Sequence, residues 1–518
     1  MLHSARTVAV EQKIAAAKCA SPRFLLLYPP LQFSHGEVVK PDGSLSLAYL
    51  AAALREAGFN VDILDCTVGF DRSPLKESFH NVVEQDNGLL RVGLAAESIL
   101  KIVEKYDVVG LSSIFTPQTT PCLELVSQIR ACFPDKLVIA GGVNARNLRG
   151  RFFAAGVDMI AMSEAEVTVT QLGRVLQGQG SLATIPGIAF LDEDGHERKT
   201  AMAPAIKDLD GLPMPAWDLL PMQQYWAISR PHGGNFPEGQ TIRYASLQTS
   251  RGCPFRCAYC HISKEQAGSD YGNIGAFRMK SVERVFREFQ TLKDMGVEYV
   301  FIEDDSLFMK KRRAIEIFRM VRDLGLKLLD VNGINICHLH RGKQGTDKLQ
   351  VDTELIEVLA EAGFKSLALP FESASQRLVN KYASSKWRIA DTNTADLIRT
   401  FNDHGISVSG NYMIGYPDES IEEVFDTITM AKRNVEEGLD YALFFAVVPF
   451  PGSELYEIAV RDGHIDREIN PDQMRWTKSI MRNMKIDPST LEHLRQLAWL
   501  LVNRSEYVNR KRSMIPEV

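Results

Sequence analysis

No stretch of this chain is apolar for the roughly 18–20 residues that a bilayer-crossing helix needs, so the sequence predicts no membrane span. It also lacks an excess of either charge. A net charge of −6 at pH 7 over 518 residues points to neither nucleic acid nor an anionic surface as a partner. Residues 1–20, interrupted by Arg6, Glu11, Lys13 and Lys18, lack the unbroken apolar segment of a secretory signal. They read as a short helical or frayed leader, and a cytoplasmic location is expected. A disulfide framework is missing too. Five of the eight cysteines (Cys19, Cys66, Cys122, Cys132 and Cys337) are scattered singly, as small buried hydrophobes are, and no second cysteine cluster follows near the C-terminus.

What is present is a chain too long for one core, with the 45% apolar and 24% charged content of an ordinary globular protein. From residue 21 to 184, aliphatic runs alternate with amphipathic stretches. The runs are RFLLLYPP, NVDILDC, DVVGLSS, KLVIAGG and VDMIAMSE. Near-continuous apolar strands separated by helices predict a parallel sheet covered on both faces, and five of them fit a flavodoxin-like, doubly wound domain. Ligands of such sheets bind at the carboxyl ends of the strands. Polar and small residues gather there: Asp65, SSIFTPQTT with Ser112, Ser113 and Thr116, Gly141-Gly142, and Ser163-Glu164. A capped loop accounts for any one of these alone; four together indicate a binding edge. Residues 185–240 then change character. IPGIAFLDEDGHERKT predicts a hairpin turning at Asp194-Gly195, and the proline-rich DGLPMPAWDLLP predicts an extended connector between domains.

The remaining three cysteines stand together in RGCPFRCAYCHIS: Cys253, Cys257 and Cys260. Three thiolates so spaced can wrap an iron–sulfur cube and leave one iron without a protein ligand. Zinc is the alternative reading, but His261 abuts Cys260, an awkward geometry for closing one tetrahedron. Over residues 241–462, helices and strands alternate through six βα-type units beginning at YASLQTSRGC, which predicts an open, partial (β/α)6 barrel with its working end at the strand carboxyl termini. His338 and His340, in NICHLHR at the end of the third strand, are candidates for a catalytic role in substrate contact or proton transfer, with loop packing as the competing reading. Residues 463–518 read as helical, and a C-terminal helical cap over the barrel mouth is expected.

CPFRCAYC, with Tyr259 as its aromatic residue, resembles the Cys-x-x-x-Cys-x-aromatic-Cys signature of radical S-adenosylmethionine (SAM) enzymes, and the resemblance extends over residues 243–462. IEDDSL is similar to that family's Asp-Asp segment, which implies that Asp304 and Asp305 meet the amino group of the cofactor's methionine. LALPFESASQRL resembles its Gly-x-Glu-Ser segment, with Glu372 and Ser373 placed for ribose or carboxylate contacts, although Pro370 and Phe371 depart from the usual glycine and aliphatic. MIGYPDES, with Ile414 and Gly415, resembles the adenine-side segment, and PFPGSELY looks like that of members carrying an N-terminal cobalamin domain.

The first half resembles such cobalamin-binding domains. Ser112 and Thr116 lie in the segment like that family's Ser-x-Leu, and Gly141-Gly142 in the turn that approaches the corrinoid tail. Ser163-Glu164 stand where a Gly-Glu pair is usual, a partial match. The family's Asp-x-His-x-x-Gly motif is missing. His35 lacks the flanking residues, so the resemblance implies a cobalamin without a histidine beneath the cobalt.

Together the resemblances imply a cobalamin-dependent radical SAM enzyme of methyltransferase type. Its cofactors are a [4Fe-4S] cluster on the three cysteines, S-adenosyl-L-methionine and cobalamin as methylcobalamin. Its partners are a small or medium-sized substrate and an external electron donor such as flavodoxin or ferredoxin. A 5′-deoxyadenosyl radical would take hydrogen from an unactivated centre, and cobalamin would deliver the methyl group. The competing readings are a non-methylating rearrangement or oxidative cyclisation, a methylthiotransferase, and a non-catalytic cobalamin or iron–sulfur sensor. The methylthiotransferase lacks support because neither the extra N-terminal cysteines nor the β-barrel tail is visible.

Overall fold

The aliphatic runs of the first half become buried strands because helices cover both faces of the sheet they form. β1 (Arg23–Tyr28), β2 (Asn60–Asp65), β3 (Val108–Ser112), β4 (Leu137–Gly141) and β5 (Met159–Ala161) run parallel in the order β2-β1-β3-β4-β5. This is the doubly wound flavodoxin-like order, with its switch point between β1 and β3. The expected hairpin, β6 (Ile188–Leu191) and β7 (Glu197–Lys199), extends the same sheet antiparallel beyond β5. Helices α1 (Leu45–Glu56), α2 (Ala96–Val103), α3 (Thr119–Cys132) and α4 (Glu166–Leu176) flank it. Leu25, Leu27, Val109, Leu111 and Val138 meet Ile99 and Val103 of α2 and Val126 and Ile129 of α3 in one core.

This computed structural model describes residues 10–41, 43–237, 239–342 and 349–514; the first nine residues of the expected leader lie outside them, and Val10–Ala16 is a helix. The chain divides into two units. The first comprises the described residues through Ile228 together with Glu265–Ile274, and the second holds Ser229–Lys264 and the described residues from Gly275 onward. Residues 265–274 are held in the first unit by the buried Arg146–Glu265 ion pair and by Tyr271, whose ring lies 5.1 Å from the Arg146 guanidinium and whose hydroxyl donates to Asn147 Oδ1 at 3.0 Å. A small antiparallel sheet of Leu31–Phe33, Leu90–Val92 and Val82–Glu84 carries no alternation strong enough to be read from sequence.

In the second unit β8 (Tyr244–Leu247), β9 (Tyr299–Ile302), β10 (Lys327–Asp330), β11 (Phe364–Glu372), β12 (Ser407–Ile414) and β13 (Tyr441–Ala446) form a six-stranded, wholly parallel sheet in sequence order. Its helices are α5 (Val282–Asp294), α6 (Lys311–Val321), α7 (Thr353–Glu361), α8 (Gln376–Tyr382), α9 (Thr394–Asp403), α10 (Ile421–Glu436), α11 (Glu454–Arg461) and α12 (Pro488–Val502). Phe318 of α6 packs edge-on against Phe364, and Asn434 of α10 donates to the Tyr412 hydroxyl at 2.8 Å, which fixes the helix-covered face.

The C-terminal segment does not sit only at the mouth, as expected from sequence. α12 packs along the edge strand β13. Asn503 beyond it satisfies both backbone groups of Ala442, at 2.7 and 2.9 Å, so it acts as a cover for an otherwise open sheet edge. The loop before α12 reaches the carboxyl end of β13, where Trp476 O accepts from Ala446 N and the Trp476 ring meets Phe445 and Phe450.

The stretch RPHGGNFP, part of the connector expected over 185–240, joins the second unit. Phe236 packs on Tyr299 (5.3 Å) and His232 on Phe301 (5.9 Å). Tyr299 and Phe301 alternate with residues of the helix-covered face, so this stretch lines the opposite, concave side of the sheet.

Beneath the turn that leads into the cysteines lies a charged core. Glu288 of α5 is fully buried and accepts from Lys280 Nζ at 2.5 Å and Arg284 Nε at 2.8 Å. Lys280 Nζ also donates to Gln248 O, and burial pulls its ammonium down to about 8. Glu288→Ala strands two buried cations, and a loss of about 3–5 kcal/mol is expected in chemical denaturation; an unchanged midpoint would contradict this. Asp330, at the end of β10, is also buried. Its Oδ2 accepts from Gly333 N at 2.9 Å, and burial pushes its carboxyl up to about 7. That value lies above an unfolded one of about 3.9, so the stabilising proton is fully held below about pH 4. Its contribution is lost as pH rises through about 7. The denaturation midpoint of the parent chain is expected to fall more between about pH 5 and about pH 8 than that of Asp330→Asn; equal falls would remove Asp330 from the account.

Candidate functional site

The cysteine loop has no regular structure of its own and is clamped from outside. Ser250–Arg251 pairs with Arg278–Met279, and Gly252 follows at φ +80°, where a Cβ would come 2.4 Å from Ala276 O. Cys253 N donates to Gly275 O, Ala258 N to Tyr382 O and Leu455 N to Ala258 O. All three thiols are free of disulfides. Burial pushes the Cys253 thiol up to about 11 and raises Cys257 and Cys260 as well.

Donor chemistry and spacing decide what fits. Thiolates on one tetrahedral zinc, with Zn–S near 2.3 Å, lie only about 3.8 Å apart. Among the described residues the three sulfurs do not converge within 4.8 Å of one another. Thiolates that stand apart fit a cluster in which each binds its own iron, and the zinc reading fails on this spacing.

Around this loop the expected contacts separate. Asp304 is 1% exposed, with Thr249 N (2.6 Å) and Thr249 Oγ1 (2.7 Å) donating to its carboxylate and Ser250 Oγ to Oδ2 (2.5 Å), so it anchors the loop's entry. Asp305 points toward the loop, its Oδ2 accepting from Gly252 N at 3.1 Å. Ser373 is fully buried beside Thr427, and its Oγ accepts from Ser375 N. Glu372, at φ +63° beside a register shift in β11, takes the Tyr259 hydroxyl at 2.7 Å and Lys386 Nζ at 2.5 Å on the same oxygen, Oε1.

Ile414 belongs to a core with Val424, Ile486 and Leu491, and its carbonyl accepts from Val447 N. Gly415 and Tyr416 donate their N–H groups to Glu419 Oε2, and burial pushes the Glu419 carboxyl up to about 8.

The two histidines stand differently. His338 packs its ring 5.9 Å from Phe255 of the cysteine loop, and burial, then Lys311, hold its pKa down to about 4. His340 is buried, its Nδ1 bonded to Ile336 O at 2.9 Å and its pKa lowered by burial. Burial thus disfavours the charged form of both rings, and the bond to Ile336 O fixes the orientation of His340. Sequence reasoning missed the pair on the concave face, where His232 Nε2 lies 3.8 Å from Glu303 Oε1, both side chains partly exposed. Missed too was Lys386, 14 residues beyond Glu372 in a turn without periodic signal.

In the first unit the strand ends carry the expected residues, but several are spent on the fold. Asp65 accepts from Thr67 N and, on Oδ2, from Tyr225 OH at 2.8 Å. Ser113 Oγ accepts from Asn144 Nδ2 at 2.8 Å, and Ser112 and Thr116 are buried. Gly142, at φ +100°, is required by the Ser113 carbonyl, 2.3 Å from where a Cβ would stand, whereas Gly141 has room. Glu164 accepts from Ile206 N at 2.8 Å. Ser163 is different. Its hydroxyl is buried without a partner among the described residues and borders a cavity of about 90 Å³ lined by Met162, Ile188, Thr200 and Met202. An unsatisfied hydroxyl at the carboxyl edge fits a site that receives a polar ligand group. His35 lies exposed beside Glu84.

Residues 39–173 match the family of B12 binding domains, and residues 247–431 match the radical SAM superfamily. The chain is 28% identical over 491 residues to the cytidylyl-2-hydroxyethylphosphonate methyltransferase of Streptomyces wedmorensis, covering 89% of this chain and 85% of that one. Among solved structures it resembles the radical SAM methyltransferase TsrM from Kitasatospora setae at TM-score 0.62 and 17% identity, over 86% of this chain and 77% of that one. It also resembles the cobalamin-dependent SAM radical enzyme OxsB at TM-score 0.67 and 16% identity, over 95% and 70%. These two likenesses establish the fold. The chain thus carries a B12 binding domain followed by a radical SAM domain.

Proposed function

We propose that this enzyme methylates an unactivated carbon or phosphorus centre of a small or medium-sized molecule. The observation that carries the reading is the cysteine loop itself: three thiols spaced for a cluster and not for one ion, in a chain that also carries a B12 binding domain. When bound, the cluster with S-adenosylmethionine supplies a radical that takes hydrogen from the substrate, and cobalamin supplies the methyl group.

The chain's own residues hold and orient. Cys253, Cys257 and Cys260 would hold the cluster and leave one of its irons for S-adenosylmethionine. Asp305 takes the amino group, while Tyr259, Glu372 and the Ile414–Gly415 backbone hold the nucleoside. Asp304 keeps the loop's entry fixed. Ser112, Ser113, Thr116, Gly141, Gly142, Ser163 and Glu164 form the edge that receives cobalamin, Ser163 through its unpaired hydroxyl and the others largely through backbone. His232 and Glu303, with Phe301 beneath them, offer the substrate a polar contact on the concave side of the sheet. His338, neutral beside Phe255, is placed to accept a hydrogen bond. Fixing reactants in this way is where the protein contributes to rate. The Streptomyces wedmorensis relative acts on a cytidylyl-linked hydroxyethylphosphonate, which makes that compound the first substrate to test. An external reductant such as flavodoxin or ferredoxin supplies the electron.

Incubated anaerobically with cobalamin, reductant, methyl-labelled S-adenosylmethionine and candidate substrates including that phosphonate, the enzyme is expected to place label in an organic product. Label confined to methionine, with deoxyadenosine formed from every substrate turned over, would replace methylation with a rearrangement or cyclisation. Cys257→Ala is expected to lose the cluster absorption near ~400 nm with unchanged far-ultraviolet circular dichroism; retention of that band would remove Cys257 from the ligand set.

A further inference from the structure

Glu372 and Tyr259 come from separate elements, the end of β11 and the cysteine loop, yet a third residue joins them. Lys386 Nζ lies 2.5 Å from Glu372 Oε1 and 3.4 Å from the Tyr259 hydroxyl, and the side chains of Lys386 and Glu372 are 10% and 7% exposed. Burial works against the ammonium, and the adjacent Glu372 carboxylate offsets it. Both donors, Lys386 and Tyr259, fall on Oε1. Among the described residues Oε2 takes no hydrogen bond.

One oxygen of this carboxylate thus takes two donors and the other takes none among the described residues, which leaves it with acceptor capacity. Glu372 is also held in an uncommon backbone conformation, at φ +63° beside the register shift in β11.

We propose that Lys386 is a positioning residue for S-adenosylmethionine: with the Tyr259 hydroxyl it clamps Oε1 of Glu372, so that Oε2 receives a hydroxyl-bearing group of the cofactor. The inference rests on the placement of S-adenosylmethionine given under the proposed function. It explains why the aromatic residue of the cysteine motif carries a hydroxyl, since phenylalanine could not make the clamp. It also gives the lysine a role without contact to the reacting atoms.

The test uses the full-length protein with its cluster reconstituted anaerobically and S-adenosylmethionine as the probe. Dissociation constants come from equilibrium dialysis, and the electron paramagnetic resonance spectrum of the reduced cluster is recorded before and after addition. Lys386→Met is expected to keep its iron and the spectrum of the ligand-free cluster. It should bind S-adenosylmethionine about tenfold more weakly or worse and lose the change in spectrum on addition. Lys386→Arg, which keeps the charge, restores most of the affinity, and Tyr259→Phe weakens binding in the same direction. A cluster-replete Lys386→Met with parental affinity and spectral change overturns the proposal.

If Lys386→Met loses its cluster, Glu372→Gln and the double variant E372Q/K386M decide, because neither leaves a lone buried carboxylate. Equal, weakened binding in both supports the proposal, since Lys386 then acts only through Glu372. Parental affinity in both, or a further loss on removing Lys386, overturns it. A parent chain that binds S-adenosylmethionine but transfers no methyl group refutes the methylation reading and leaves this inference standing.

Discussion

The carboxylate of Asp304 is the fixed point from which the reactive loop hangs. Three cysteines within eight positions cannot form a helix or strand that would place them, so their positions must be imposed by neighbours. Asp304, at the end of β9, takes Thr249 N, Thr249 Oγ1 and Ser250 Oγ, and so sets where the chain leaves β8. Burial raises the cost of that charge, and three hydrogen bonds offset it. Below it, Lys280, Arg284 and Glu288 form a second buried charged group, and Arg313 ties Lys280 O to Thr249 O. The loop then receives backbone bonds from residues 275, 382 and 455, so three distant parts of the chain agree on its shape.

Such an arrangement separates rigidity from reactivity. The residues with the fewest spare bonding positions are those that hold the frame: Asp304, Glu288 and Ser373. Those with capacity left are, in the second unit, Glu372 with Oε2 and the three thiols, and, in the first, Ser163 with its hydroxyl. Buried groups left unsatisfied are costly, and where they gather beside a cofactor edge the cost is accounted for by the ligand they receive.

Much of the fold is legible in the sequence because parallel strands buried on both faces are written as uninterrupted aliphatic runs, such as LLLY, VVGLS and LVIAG. The three cysteines are legible because their spacing is local. The side of a strand end that each residue takes is not local. Asp304 and Asp305 look alike in IEDDSL, yet one turns beneath the loop and the other toward it. Ile414, in an otherwise informative motif, is core because α12 returns nearly 80 positions later to cover it. Lys386 sits in SSKWR without periodicity, and its partner is chosen by the turn after α8. The stretch RPHGGNFP reads as a linker from composition, but two glycines and two aromatic contacts lay it against β9. These are consequences of tertiary packing that no window of sequence contains.

The central claim is that the three thiols leave one metal position open for S-adenosylmethionine. It is tested most directly by electron–nuclear double resonance on the reduced, reconstituted enzyme with S-adenosylmethionine isotopically labelled in its amino nitrogen. A hyperfine coupling between the label and the cluster, absent without the cofactor, is the predicted result. A cluster spectrum that carries no such coupling at saturating S-adenosylmethionine would contradict the account.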